Sequence, residues 1–281
     1  MKKLDELSVM QDMDSKLFKK LKSKFSVDEL KKIADSGRLV TASKNTKIDF
    51  SGTSIKMLVM SDTHIGSAYD NVGGIHQAFE EGAKEKCDIL LHAGDVLDGD
   101  GMDKKGYVYD LRVIGCDKQR EEAEKVFNQW TKPSYFISGN HDLHAFKSSG
   151  VDVVEAFCRD GNRTYIGKGQ GTLILKKSNI ELFHGEDSGS GYAYSYRVQQ
   201  ITRAITGGYK PNILITGHDH KALYVYSRMI HCIGGGALSN RSRWMQQKRL
   251  EHHQGFWIVT AWFDSKCGVA KIQPTFYPFY K

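Results

Sequence analysis

The chain has 281 residues, enough for one large domain or for a catalytic domain with a small appendage. Apolar residues make up 40% and charged residues 26%, which excludes disordered, collagen-like and coiled-coil classes. No apolar run approaches the ~18–20 residues of a membrane span, and the net charge of +7 suits a polyanionic partner without specifying one.

The opening MKKLDELSVMQDMD lacks the apolar core of a signal peptide. Cys87, Cys116, Cys158, Cys232 and Cys267 form no close pair, so reduced thiols in a cytoplasmic setting are expected rather than a secreted disulfide framework. Residues 1–50 hold 12 Lys/Arg against 8 Asp/Glu and read as a basic helical extension. Leu17, Phe18, Leu21 and Phe25 fall on one helical face with lysines opposite. Ser26 and Glu29 form a capping box for a second helix through Leu30, Ile33 and Ala34, which Gly37 ends. Two readings stay open: a helix-turn-helix followed by a wing, or an amphipathic extension packed on the catalytic domain. The polar stretch at 43–52 separates this extension from a domain over 54–281.

From Lys56 onward, strand-like runs (KMLVMS, DILLHAG, SYFISGN, ELFHG, NILITGH) alternate with helical segments near 74–86, 117–131 and 151–159. This predicts an α/β arrangement with strands between helical layers. Hairpins are expected in GTLILKKSNIELFHG, turning at Ser178-Asn179, in ALYVYSRMIHCIGG, and from GFWIVTAWF.

Each of the five apolar runs ends in residues able to bind a cation: Asp62-Thr63-His64, Gly94-Asp95, Gly139-Asn140-His141-Asp142, His184-Gly185 and Gly217-His218-Asp219-His220. In α/β sheets, ligands bind in the crevice beyond the carboxyl ends of the strands, where several ends converge. Asp62, His64, Asp95, Asn140, His184, His218 and His220 offer seven O/N donors and no thiolate. Such a set suits Mn, Fe or Zn, and it exceeds what one tetrahedral ion needs. With one carboxylate bridging, it fits two ions about 3.5–4 Å apart, the spacing used for in-line phosphoryl displacement.

D-x-H, G-D-x-x-D, G-N-H-D, a lone H-G and G-H-x-H, in this order, resemble the calcineurin-like metallophosphoesterase superfamily. SDTHIGS, GDVLDG and ISGNHD are most similar to its SbcD-type DNA-repair nuclease branch and to short bacteriophage-encoded members. The resemblance implies a four-layer β-sandwich, two mixed sheets flanked by helices, within the α/β (α+β) class. It also implies two divalent ions, manganese first, with iron, zinc or nickel as alternatives. Carried over by motif, Asp62, His64 and His220 would hold one ion and Asn140, His184 and His218 the other, with Asp95 bridging. His141 would be the general acid, Asp98 would orient its imidazole, and Asp142 would be structural. The implied reaction is attack on a phosphodiester by a hydroxide generated between the ions, with a nucleic acid or nucleotide as substrate, in the cytoplasm or, for a phage protein, the host's. Two alternatives stand: a phosphomonoesterase acting on nucleotides or phosphoproteins, and a nucleic-acid-binding protein with a vestigial metal site.

Beyond the motifs, Tyr192, Tyr194, Tyr196 and Arg197 close a Gly/Ser-rich stretch after His184. They are expected either to stack a base and pin a phosphate, or to fill core at a helix entry. Arg241, Arg243, Trp244, Lys248 and Arg249 form a second basic stretch that could track a nucleic-acid backbone or be a solvated face. The insert at 98–119 follows Asp95 and is expected to form part of the rim, with no readable role of its own. His76, His92, His144, His231, His252 and His253 match no ligand position and are expected to be structural.

Overall fold

A parallel strand covered on both faces needs apolar side chains pointing both ways, and the runs beginning at Lys56, Asp88, Ser134 and Asn212 have that character. A computed structural model describes residues 45–101, 106–185, 193–205, 210–264 and 268–279. The chain enters through β1 (Asn45–Ile48) and β2 (Ser54–Met60), then passes through α1 (Val72–Lys84), β3 (Ile89–His92), α2 (Cys116–Phe127) and β4 (Ser134–Ser138). Two short helices, α3 (His144–Ser149) and α4 (Val153–Phe157), lead to β5 (Arg163–Lys168) and to a hairpin of β6 (Gln170–Leu175) and β7 (Ser178–Phe183). Next come α5 (Tyr196–Ala204), β8 (Ile213–Thr216) and the hairpin of β9 (Ala222–Ser227) and β10 (Ile230–Gly235). Then follow α6 (Arg243–Gln247), β11 (Gly255–Asp264) and β12 (Gly268–Pro278).

Among the described residues these strands make two six-stranded sheets, ordered β12-β11-β2-β3-β4-β5 and β1-β6-β7-β8-β10-β9. In the first, β2 to β5 run parallel and β11 pairs antiparallel with β2. In the second, β7, β8 and β10 run parallel. Met57, Val59, Leu91 and Ile137 face Leu173, Leu182, Ile213 and Ile215 in the core between the sheets. The alternate residues Leu58, Met60 and Leu90 pack with Phe79, Phe127 and Phe157 of the helical layer. On the far side, Val198 of α5 covers Leu214 and Cys232. The result is the helix–sheet–sheet–helix sandwich of the expected four-layer class.

Two local expectations are corrected. The β6–β7 hairpin turns at Lys176-Lys177, not Ser178-Asn179, because Leu175 pairs with Ser178 and Lys176 takes the positive φ (54°) that a two-residue turn requires. Asn45–Ile48, assigned to the extension, is instead an edge strand paired in parallel with β6. The helices expected earlier in 1–50 lie outside the described residues. Among the described residues, no helix is long and apolar enough to cross a membrane.

Candidate metal centre

Because β2, β3 and β4 are parallel neighbours, their carboxyl ends align, and β7 and β8 do the same in the other sheet. Asp62 and His64 follow β2, Asp95 and Asp98 follow β3, and Asn140, His141 and Asp142 follow β4. His184 follows β7, and His218 and His220 follow β8. Pairing continues past the strands, with the amides of Asp62, His64 and Ile65 donating to the carbonyls of Gly94, Asp95 and Val96 at 3.0, 3.1 and 2.9 Å. Asp62, His64, Asp95, His218 and His220 all have positive φ, 52°, 45°, 53°, 82° and 54°. Non-glycine residues seldom adopt this region, and such strain concentrates at sites where side-chain aim matters. The turns admit no bulk: a Cβ on Gly139 would lie 2.1 Å from Oδ1 of Asp95, and one on Gly94 would lie 2.5 Å from Nδ1 of His184.

The seven candidate ligands converge. One ligand atom from each of Asp62, His64 and His220 lies within 4.8 Å of the others, as do those of Asp95, His184 and His218. Oδ1 of Asn140 joins the second group, 3.1 Å from Nε2 of His184 and 2.7 Å from Nδ1 of His218. Oδ2 of Asp95 stands between the groups, 3.7 Å from Nε2 of His64 and 3.1 Å from Nε2 of His184. Nε2 of His64 is buried, has no hydrogen-bond partner and faces the Asp62 and Asp95 carboxylates at 3.9 and 3.7 Å. A buried nitrogen left bare between carboxylates fits a cation there, and carboxylate, imidazole and amide oxygen are the donors of a divalent first-row ion.

The electrostatics agree. Burial would raise the Asp62 carboxyl, but His220 beside it outweighs that and holds it well below the ordinary carboxylate range. Asp95 is lowered in the same way, against its burial, by His184 and His141. Burial pushes His218 down to about 4, leaving a neutral imidazole. His184 is pushed up to about 9, because Asp95 and Asp62 outweigh its burial.

Partners of the ligands fix their aim. Nδ1 of His64 donates to Oδ1 of Asp98 at 2.9 Å, and Nδ1 of His184 donates to the carbonyl of Ala93 at 2.7 Å, so each turns Nε2 to the crevice. Asp142 accepts the amides of Val96, Leu97 and Gly139 at 3.1, 2.8 and 2.8 Å, tying the β3 and β4 turns together. Asp98 meets both rings: its carboxylate bonds Nδ1 of His64 and pairs with Nδ1 of His141 at 3.5 Å. That nitrogen is held by the carbonyl of Asp98 and the hydroxyl of Tyr107, each at 2.9 Å. Tyr107 belongs to the insert that the sequence leaves unread.

The expectation for Arg197 is corrected. It is buried, with Nη1 donating to the carbonyl of Gly217 at 2.7 Å and Nη2 to that of His184, so it struts two ligand turns instead of meeting substrate. Tyr194 packs against His253, as in the core-filling alternative. Tyr196 lies exposed on α5 and bonds Gln200, and Tyr192 is outside the described residues. Arg241 and Arg243 are exposed beside Trp244. Of the six histidines expected to be structural, His92 is buried with Nε2 3.1 Å from the Thr63 hydroxyl, whereas His252 touches a ligand, with Nδ1 3.1 Å from Nδ1 of His220.

Residues 55–222, more than half the chain and all seven candidate ligands, match the family model of calcineurin-like phosphoesterases. The chain belongs to the calcineurin-like phosphoesterase family. This family uses divalent metal ions, and here three overlapping groups of side chains, Asp62–His64–His220, His64–Asp95–His141 and Asp95–His184–His218, are placed to hold them. Among solved structures, an archaeal phosphodiesterase is similar at 15% identity, with 79% of this chain and 100% of that one covered and a TM-score of 0.44. The phosphoesterase Yfce of E. coli is similar at 14% identity, with coverages of 78% and 98% and a TM-score of 0.46. Vacuolar protein sorting 29 of Cryptosporidium parvum is similar at 16%, with coverages of 82% and 100% and a TM-score of 0.45. No curated protein matches the chain. The family match ends before the segment 238–254, so His252 and Trp244 are features of this phosphoesterase outside the matched region.

Proposed function

We propose that the crevice hydrolyses phosphodiester bonds of a nucleic acid or nucleotide with two divalent cations, manganese first. The observation that carries this reading is the placement of Asp95 between two donor groups, with His141 beside them. Divalent ions held there would neutralise phosphate oxygens and make a water acidic enough to lose its proton near neutral pH.

The chain's own residues supply the rest. Asp62, His64 and His220 would hold one ion and Asn140, His184 and His218 the other, with Asp95 placed between the two groups. His141 has Nδ1 engaged by Asp98 and Tyr107, so Nε2 is the nitrogen free to give a proton to the leaving oxygen. Its backbone amide donates to Oδ1 of Asp95 at 2.8 Å, which ties the acid to the bridging carboxylate.

A diester carries substituents on both sides of its phosphate, and the surface around the β2 turn suits them. Tyr109 is 88% exposed and Trp244 58% exposed, on segments that flank the turn. Ala68 donates to the carbonyl of Asp110 and Asn240 to that of Tyr69, each at 2.7 Å. Arg241, Arg243, Lys248 and Arg249, all exposed, lie within five residues of Trp244 in the sequence, the mix of aromatic and cation that accepts stacked bases and their phosphates. The test is a paired assay with bis-p-nitrophenyl phosphate and p-nitrophenyl phosphate in manganese, followed by single-stranded DNA, duplex DNA, RNA and cyclic nucleotides. Faster turnover of the diester and cleavage of a nucleic acid or nucleotide are expected. Faster monoester turnover, with no nucleic acid or nucleotide cleaved, contradicts the reading.

A further inference from the structure

Three candidate ligand imidazoles have their second ring nitrogen engaged, and the partners differ in kind. His184 uses a backbone carbonyl, that of Ala93. His64 uses the Asp98 carboxylate. His220 uses another imidazole: its Nδ1 lies 3.1 Å from Nδ1 of His252. The proton positions along this last chain follow from its far end. Nε2 of His252 lies 2.9 Å from the carbonyl oxygen of Ser239, which can only accept, so this nitrogen carries the proton. Nδ1 of a neutral His252 is then an acceptor, and Nδ1 of His220 must donate to it. With Nδ1 committed to His252, Nε2 of His220 is the nitrogen turned to the crevice, 3.3 Å from Oδ1 of Asp62. The circuit closes through the backbone, since the amide of Ser239 donates to the carbonyl of Asp62 at 3.1 Å and the amide of His253 donates to the carbonyl of His220 at 2.8 Å.

We propose that His252 is a positioning residue for the first cation group: by accepting the Nδ1 proton of His220 it fixes that ring's tautomer and aim. The inference rests on the two-cation reading of the crevice. The opposite tautomer would put a proton on the nitrogen facing Asp62, where a cation must find a lone pair. His252 bonds a ligand of the Asp62–His64–His220 group alone, so the two groups respond differently to its loss. The other group takes its ring constraint from the Ala93 carbonyl, which no side-chain substitution removes.

The experiment is calorimetric titration of the full chain with Mn²⁺, comparing wild type with His252→Phe and His252→Gln, alongside nitrogen-15 spectra of the wild-type protein loaded with diamagnetic Zn²⁺. Wild type is expected to bind two ions and to show His220 protonated at Nδ1. His252→Phe is expected to weaken one ion about 10–100-fold and leave the other unchanged. His252→Gln, whose amide oxygen can accept the same N–H, recovers most of that loss. A folded His252→Phe that binds both ions as wild type does, or weakens both equally, overturns the proposal. So does a wild-type spectrum with the His220 proton on Nε2, which decides the matter even where the Phe variant does not fold. Two bound ions with no phosphoester turnover would count against the proposed function alone.

Discussion

In the crevice, the cation-facing side chains sit on tight turns that leave buried strands of two sheets. At the rim, Tyr107, Tyr109, Trp244 and His252 come from segments held to those turns by loop-to-loop hydrogen bonds. The crevice atoms inherit their places from strand register, and the cost of five left-handed backbones is carried by the packing beneath them. Rim residues inherit theirs from a few polar contacts each worth about 1 kcal/mol. Damage in the crevice should therefore abolish activity, and damage at the rim should tune it.

The largest effect is expected for Asp95→Asn, which removes the carboxylate standing between both donor groups. Turnover of bis-p-nitrophenyl phosphate should fall by about a thousandfold or more, with loss of bound metal by elemental analysis. Next, His141→Asn should keep both ions and lose about a hundredfold on an alkyl diester, and far less on a p-nitrophenyl ester whose leaving group needs no proton. Equal losses on the two substrates would remove the acid role. Cation affinity should also depend on pH. His184 stands at about 9 without a cation, so at neutral pH an ion must displace its proton. Affinity should rise about tenfold per pH unit up to about 9 and level off above it. Calorimetry in buffers of different ionisation heat would register the released proton, and a flat profile between pH 6 and 8 would contradict the assignment. The smallest effect is expected for Tyr107→Phe, which deletes one hydrogen bond to His141 and should cost about 1 kcal/mol, roughly fivefold in turnover, with metal content unchanged.

The contrast between crevice and rim also decides what was readable beforehand. Strands covered on both faces stay apolar throughout, so a polar Asp62, Asp95, Asn140, His184 or His218 at a run's end stands out. Which sheet each strand joins depends on pairing across the whole chain, and local pattern reached only an α/β class, with the sandwich following from family resemblance. Arg197 misled because a charge suggests solvent, whereas two carbonyls satisfy its buried guanidinium. Lys176 misled because lysine rarely takes a left-handed turn position that Asn or Gly would advertise. Tyr107 and His252 carried no motif at all, since each acts through a contact with a residue more than 30 positions away.

Anomalous diffraction from crystals soaked in Mn²⁺ tests the central claim most directly. Two peaks about 3.5–4 Å apart are predicted, one bounded by Asp62, His64 and His220 and the other by Asn140, His184 and His218, with Asp95 touching both. A single peak, or density away from these side chains, would contradict the account.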